Sequence, residues 1–102
     1  MRKVMLDGRN GPHPDALRRD KLTGHLNARF MEYAGEGISS FVEEPGVVSA
    51  RFAGTESRAA VRRLEEAGVT AVAAGERVRF VVGPETSFED LDYVQAAAAG
   101  LL

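Results

Sequence analysis

The sequence predicts an α+β domain: a small, mainly antiparallel sheet with helices packed on one face, in the order helix, strand, helix, strand, strand, helix. Three observations predict it. Apolar residues recur at helical spacing at Leu22, Leu26, Phe30 and Tyr33 and again from Phe88 onward; apolar residues alternate with polar ones over 47–53 and 76–82; glycine or proline punctuates nearly every junction. The chain has 102 residues, 44% of them apolar, which suits one domain with a modest core.

Residues 1–14 contain Gly8, Gly11, Pro12 and Pro14 and read as a flexible, loosely packed N-terminal arm, with the folded domain expected over 15–102. A helix follows Pro14 and runs to about Tyr33, where Gly35 and Gly37 end it. Residues 38–43 fit either a short strand or a connecting loop. After the Pro45-Gly46 turn, alternation over 47–53 sends Val48, Ala50 and Phe52 to one face and Val47, Ser49 and Arg51 to the other. Gly54-Thr55 stops this strand, and Thr55 is expected to cap a helix over 56–67 whose inner stripe is Ala60, Val61, Leu64 and Ala67. Gly68 supplies a left-handed C-terminal residue. Residues 69–73 and 76–82 then read as a hairpin around Ala74-Gly75. Ser87 and Asp90 have capping-box spacing, and Phe88, Leu91, Val94, Ala98 and Leu101 mark the inner face of the last helix.

Composition removes several classes of function. Without cysteine there are no disulfides, thiolate nucleophiles or Cys-ligated zinc, and a net charge of −2 exerts no general pull on nucleic acid or anionic membranes. No apolar run reaches membrane-spanning length, and the first residues lack a signal-peptide core, so a cytoplasmic location is expected. His13 and His25 share no helical face, although His25 has Asp20 and Glu32 nearby in sequence. Glu43-Glu44 and Glu65-Glu66 read as solvated pairs.

The chemistry concentrates on one strand. If Val78, Phe80 and Val82 face the helices, then Arg77 and Arg79 face the other way, on the side that Ser49 and Arg51 also take. Guanidinium groups gathered on one face can hold carboxylate or phosphate through paired hydrogen bonds. The competing expectation is ordinary solvation, or pairing with Glu76 and Glu85. The outward positions carry no aromatic platform for single-stranded nucleic acid.

Residues 78–92, an arginine strand followed by a turn and an acidic capped helix start, resemble the C-terminal segment of fold-type I pyridoxal-phosphate enzymes of the class V aminotransferase and cysteine desulfurase branch. Gly46-Val47-Val48-Ser49 resembles the strand opening of that family's small domain, and residues 55–68 resemble its crossover helix. The resemblance covers about 38–102 and extends less specifically to the helix at 15–33. It implies an aminotransferase small-domain fold, with Arg79 in the place of the arginine that meets the substrate carboxylate, Ser87 as the cap, and Glu89, Asp90 and Asp92 as the acidic helix start. Arg51 and Arg77 are additional candidates for anion binding. The turn Val82-Gly83-Pro84-Glu85-Thr86 lacks the His or Tyr and the Asn common in the family.

The resemblance also implies a large domain that binds pyridoxal phosphate through a lysine Schiff base. Neither Lys3 nor Lys21, the only lysines, has the setting of that lysine. The expectation is therefore an aminotransferase fragment or split-enzyme subunit, inactive alone, that binds no cofactor unless a large-domain partner chain supplies the site. The alternative is a non-catalytic module for homodimerisation or small-anion binding.

Overall fold

The computed structural model describes residues 2–9 and 11–102. The order is β1 (Val4–Met5), α1 (Ala16–Met31), a 3-10 turn (Ala34–Glu36), β2 (Ile38–Glu44), β3 (Val47–Phe52), α2 (Ser57–Glu66), β4 (Val69–Thr70), β5 (Val72–Ala74), β6 (Arg77–Val81) and α3 (Phe88–Ala99). Strands β2-β3-β6-β5 form an antiparallel sheet, and β1 and β4 pair in parallel beside it. The expected α+β architecture is present. Val48, Ala50, Phe52, Val78, Phe80 and Val82 are buried on the inner face together with Leu22, Leu26 and Phe30 of α1, Ala60 and Leu64 of α2, and Leu91, Val94 and Ala98 of α3.

Residues 38–44 resolve as a strand because each apolar or small side chain from Ile38 to Val42 meets a β3 partner, from Ile38 opposite Phe52 to Val42 opposite Val48. The hairpin after α2 closes over Gly75-Glu76. Gly75 has φ 61° and no non-glycine residue has positive φ among the described residues, which is the II′ pattern.

Four expectations need correction. The N-terminal segment packs instead of standing off: Val4 and Leu6 are buried, Val4 pairs with Val69, and the Val81 amide donates to the Leu6 carbonyl at 2.9 Å. Gly and Pro punctuate only the second half of that segment, and the first half offers alternating apolar residues to an open strand edge. Thr55 does not cap α2. Glu56 takes the N-cap position without a side-chain bond, and Ser57 Oγ, one residue later, donates to the Gly75 carbonyl at 2.6 Å. The strand expected over 69–73 divides at Ala71, where the chain leaves β1 and joins β6. Phe88 lies outside the inner face, 38% exposed, with its ring edge-on to His25 and 5.7 Å from the Arg18 guanidinium carbon.

Both halves of the Ser87/Asp90 capping box form. The Asp90 amide donates to Ser87 Oγ at 3.1 Å, and the Ser87 amide donates to Asp90 Oδ2 at 2.9 Å. Asp15 caps α1 in the simpler way, its Oδ1 accepting from the Arg18 amide at 3.2 Å. Ser87→Ala is expected to lose about 0.5–2 kcal/mol. Urea denaturation should show a lower midpoint at unchanged slope, with Ser87→Asp recovering most of it.

Candidate functional site

Strand alternation sets the outer face of β6. Arg79 stands opposite Ser49 of β3 and Val72 of β5, while Phe80, opposite Val48, points into the core. Arg77, Arg79 and Arg51 therefore share the outer face as expected, but the structure gives each a different environment.

Arg77 is committed to the sheet. Its Nε donates to Ser49 Oγ at 2.7 Å, a terminal N–H group reaches the Ser39 and Ser49 carbonyls at 3.0 and 3.1 Å, and its guanidinium carbon lies 4.5 Å from the Phe41 ring centroid. The side chain thus crosses β3 to reach β2. This explains why Ser49 is buried on a face that no helix covers. With Nε and one terminal nitrogen bound to hydroxyl and backbone groups, Arg77 clasps β3 to β2.

Arg79 meets carboxylates. Nε lies 2.9 Å from Glu43 Oε2 and a terminal nitrogen lies 3.2 Å from Glu44 Oε1, with the arginine side chain 33% exposed. Consecutive strand residues normally point to opposite faces, so two adjacent glutamates should not reach one guanidinium. A register shift in β2 between Val42 and Glu44 allows it: Glu43 is the extra, unpaired residue, and both carboxylates are turned toward Arg79. Glu43 and Glu44 stay exposed, as the sequence suggests, but both pair with Arg79, in the place expected for Glu76 and Glu85.

A cavity of about 270 Å³ opens beside this ion pair, with Arg79, Glu44, Gly46, Arg19, Gly8 and Gly11 among its lining residues. Arg19 comes from α1 and is fixed by the β2–β3 turn. Its carbonyl accepts from Thr23 Oγ1 at 2.7 Å, and Thr23 Oγ1 accepts from the Gly46 amide at 3.1 Å. Gly46 has φ +90°, and a Cβ there would lie 3.0 Å from Arg19 Cδ. Arg19 Nε is buried without a hydrogen-bond acceptor, the nearest carboxylate being Asp20 at 3.7 Å. The cavity is therefore lined by two guanidinium side chains, Arg79, which pairs with Glu43 and Glu44, and Arg19, together with the Glu44 side chain itself. Sequence reasoning missed Arg19 entirely, because only the docking of α1 on the β2–β3 turn brings residues 19 and 46 together.

Arg51 lies apart. It is exposed and lines a second cavity, of about 310 Å³, with Gly54, Ser57 and Gly75. His13 and His25 do not come together: His13 is buried, its Nδ1 accepting from the Asp15 amide at 3.0 Å. His25 pairs not with Asp20 or Glu32 but with Asp92 of α3, Nε2 to Oδ1 2.8 Å, and Arg29 joins the same carboxylate oxygen at 3.4 Å. This group ties α1 to α3. Lys3 and Lys21 are exposed. Among the described residues no cluster of three or more His, Cys, Asp or Glu side chains could hold a metal, and no helix is long and apolar enough to cross a membrane.

No protein-family model matches the sequence, and no curated protein matches it. Solved structures do match its fold. A thermostable omega transaminase 6-fold mutant from Pseudomonas jessenii aligns with TM-score 0.67 at 13% identity, over 79% of this chain and 21% of the transaminase. The lysine aminotransferase from M. tuberculosis in its internal aldimine form aligns with TM-score 0.72 at 22% identity, over 83% of this chain and 21% of that enzyme. A transaminase with L-ala gives TM-score 0.66 at 12% identity, over 80% and 22% of the two chains. This chain spans about a fifth of the length of these enzymes, and its fold is that of an aminotransferase domain.

Proposed function

We propose that this chain is the small-domain portion of a pyridoxal-phosphate-dependent aminotransferase of the class V type, working in the cytoplasm with a cofactor-binding large domain, and that Arg79 receives the carboxylate of an amino-acid substrate. The observation that carries the reading is the Arg79 ion pair: a guanidinium beside a cavity that already selects carboxylate oxygens at 2.9 and 3.2 Å. A ligand carboxylate would replace Glu44, the glutamate that also lines the cavity, and keep the fork of hydrogen bonds. The likeness to transaminase domains supports the fold on which this rests. The order of the motifs from Gly46 to Asp92 supports the class V assignment.

The residues of this chain do not fit the cofactor. Both lysines are exposed, and the Asp92 carboxylate is taken by His25 and Arg29. The unit, residues 15–102 together with the packed N-terminal segment, is accordingly inactive by itself in this reading, and its contribution is to orient the substrate. A second reading is a non-catalytic module for homodimerisation; it is favoured by the same ion pair, which neutralises Arg79 within the domain instead of leaving it open to a ligand.

Arg79→Ala tests the site. Rim ion pairs of this exposure contribute about 0–1 kcal/mol, so stability should stay nearly unchanged. Affinity for a carboxylate probe such as propionate, followed by NMR, should fall about ten- to a hundredfold, and Arg79→Lys should recover only part because an ammonium lacks the fork. An unfolded Arg79→Ala variant would make the residue structural; unchanged binding would make it a surface ion pair.

A further inference from the structure

We propose, building on the reading of Arg79 as a carboxylate site, that Glu44 holds this site closed and that Arg19 is the positioning residue that receives Glu44 when a ligand carboxylate enters. The two glutamates on Arg79 are not equivalent. Glu43 reaches Nε at 2.9 Å with a side chain 39% exposed, whereas Glu44 reaches a terminal nitrogen at 3.2 Å with a side chain 58% exposed. Glu44 also lines the cavity, at the end of β2 next to the Pro45-Gly46 turn. It is therefore the partner that a ligand in the cavity meets and displaces. Displacement leaves a second carboxylate in the wall of the same site, where it repels the ligand unless another cation takes it up.

Arg19 is placed to be that cation. It lines the same cavity, and its stem approaches Gly46, two residues from Glu44, so closely that a Cβ there would lie 3.0 Å from Arg19 Cδ. Its own pairing is incomplete. Nε is buried with no hydrogen-bond acceptor, and the Asp20 carboxylate stands off at 3.7 Å. The backbone around both groups is tied together: Thr23 Oγ1 donates to the Arg19 carbonyl at 2.7 Å and accepts from the Gly46 amide at 3.1 Å. The turn of α1 that carries Arg19 and the turn that follows Glu44 thus form one corner, and the exchange requires only the two side-chain heads to move. Of the two carboxylates on Arg79, Glu44 has the longer and more exposed contact; of the two guanidinium groups in the cavity, Arg19 is the one without a hydrogen-bonded carboxylate. Trading one exposed ion pair for another is nearly neutral for the protein, which leaves the ligand's contact with Arg79 as the net gain.

Propionate titrations of the whole chain, followed by NMR, test the exchange. Glu44→Gln should tighten propionate binding about two- to fivefold, the affinity equivalent of one exposed ion pair. Arg19→Met, which keeps the stem, should weaken binding by about the same factor in the parent and leave it unchanged in the Glu44→Gln background, where no displaced carboxylate needs a partner. Arg19→Lys retains a cation and should bind like the parent. The Arg19 Nε–H resonance should move on adding propionate to the parent and stay in place in Glu44→Gln. Equal weakening by Arg19→Met in both backgrounds makes Arg19 a direct ligand contact and overturns the proposal. Unchanged affinity in Glu44→Gln, with binding still lost in Arg79→Ala, also overturns it while leaving the Arg79 site standing. Binding that survives Arg79→Ala removes the site itself, and the exchange with it.

Discussion

Phe80→Ala is expected to lower the stability of the domain by about 3–5 kcal/mol, the range for truncating a buried aromatic residue. Phe80 is fully buried in β6, pairs with Val48 of β3, and lies with its ring centroid 5.1 Å from that of Phe30 at an interplanar angle of 56°. It therefore joins α1 to the sheet, and the cavity left by its removal is bounded by elements that cannot all close on it. Domains of this size are stable by only about 5–15 kcal/mol, so the loss is a large share of the total. Thermal unfolding should move down by more than about 10 °C, since each kcal/mol shifts Tm by roughly 4–8 °C in a chain of this length. Phe41→Ala, on the outer face, supplies the contrast. A Phe80→Ala loss below about 1 kcal/mol would mean that α1 is not anchored on this strand.

Gly46→Ala is the second large effect and joins stability to the site. At φ +90° a Cβ costs about 1–2 kcal/mol in backbone strain, and contact at 3.0 Å with Arg19 Cδ adds to it, for a total of about 1–3 kcal/mol. The displaced Arg19 stem would also shift a wall of the cavity beside Arg79. Chemical denaturation of Gly46→Ala alone and combined with Arg19→Ala separates the two parts. The double variant should recover the steric part and keep the strain. If the single variant is as stable as the parent, the turn does not hold glycine in this conformation.

The three helices and strands β3 and β6 were legible from periodicity because burial on one side enforces it: Leu22, Leu26 and Phe30 on α1, Val48, Ala50 and Phe52 on β3, and Val78 and Phe80 on β6 all point where the alternation says. The Ser87 cap was legible because its hydrogen bonds close within four residues. Placement of Arg77 and Arg79 on the outer face needed no more than strand parity. What those arginines touch was decided by tertiary structure. The bulge that turns Glu43 and Glu44 onto Arg79, the reach of Arg77 across β3, and the meeting of Arg19 with Gly46 all join residues at least 27 positions apart. So does the capture of Val4 and Leu6 by β4 and β6. Local pattern reports which way a side chain faces, because the backbone alone sets that direction; which group it meets depends on how separate elements dock, and no short stretch of sequence contains that information.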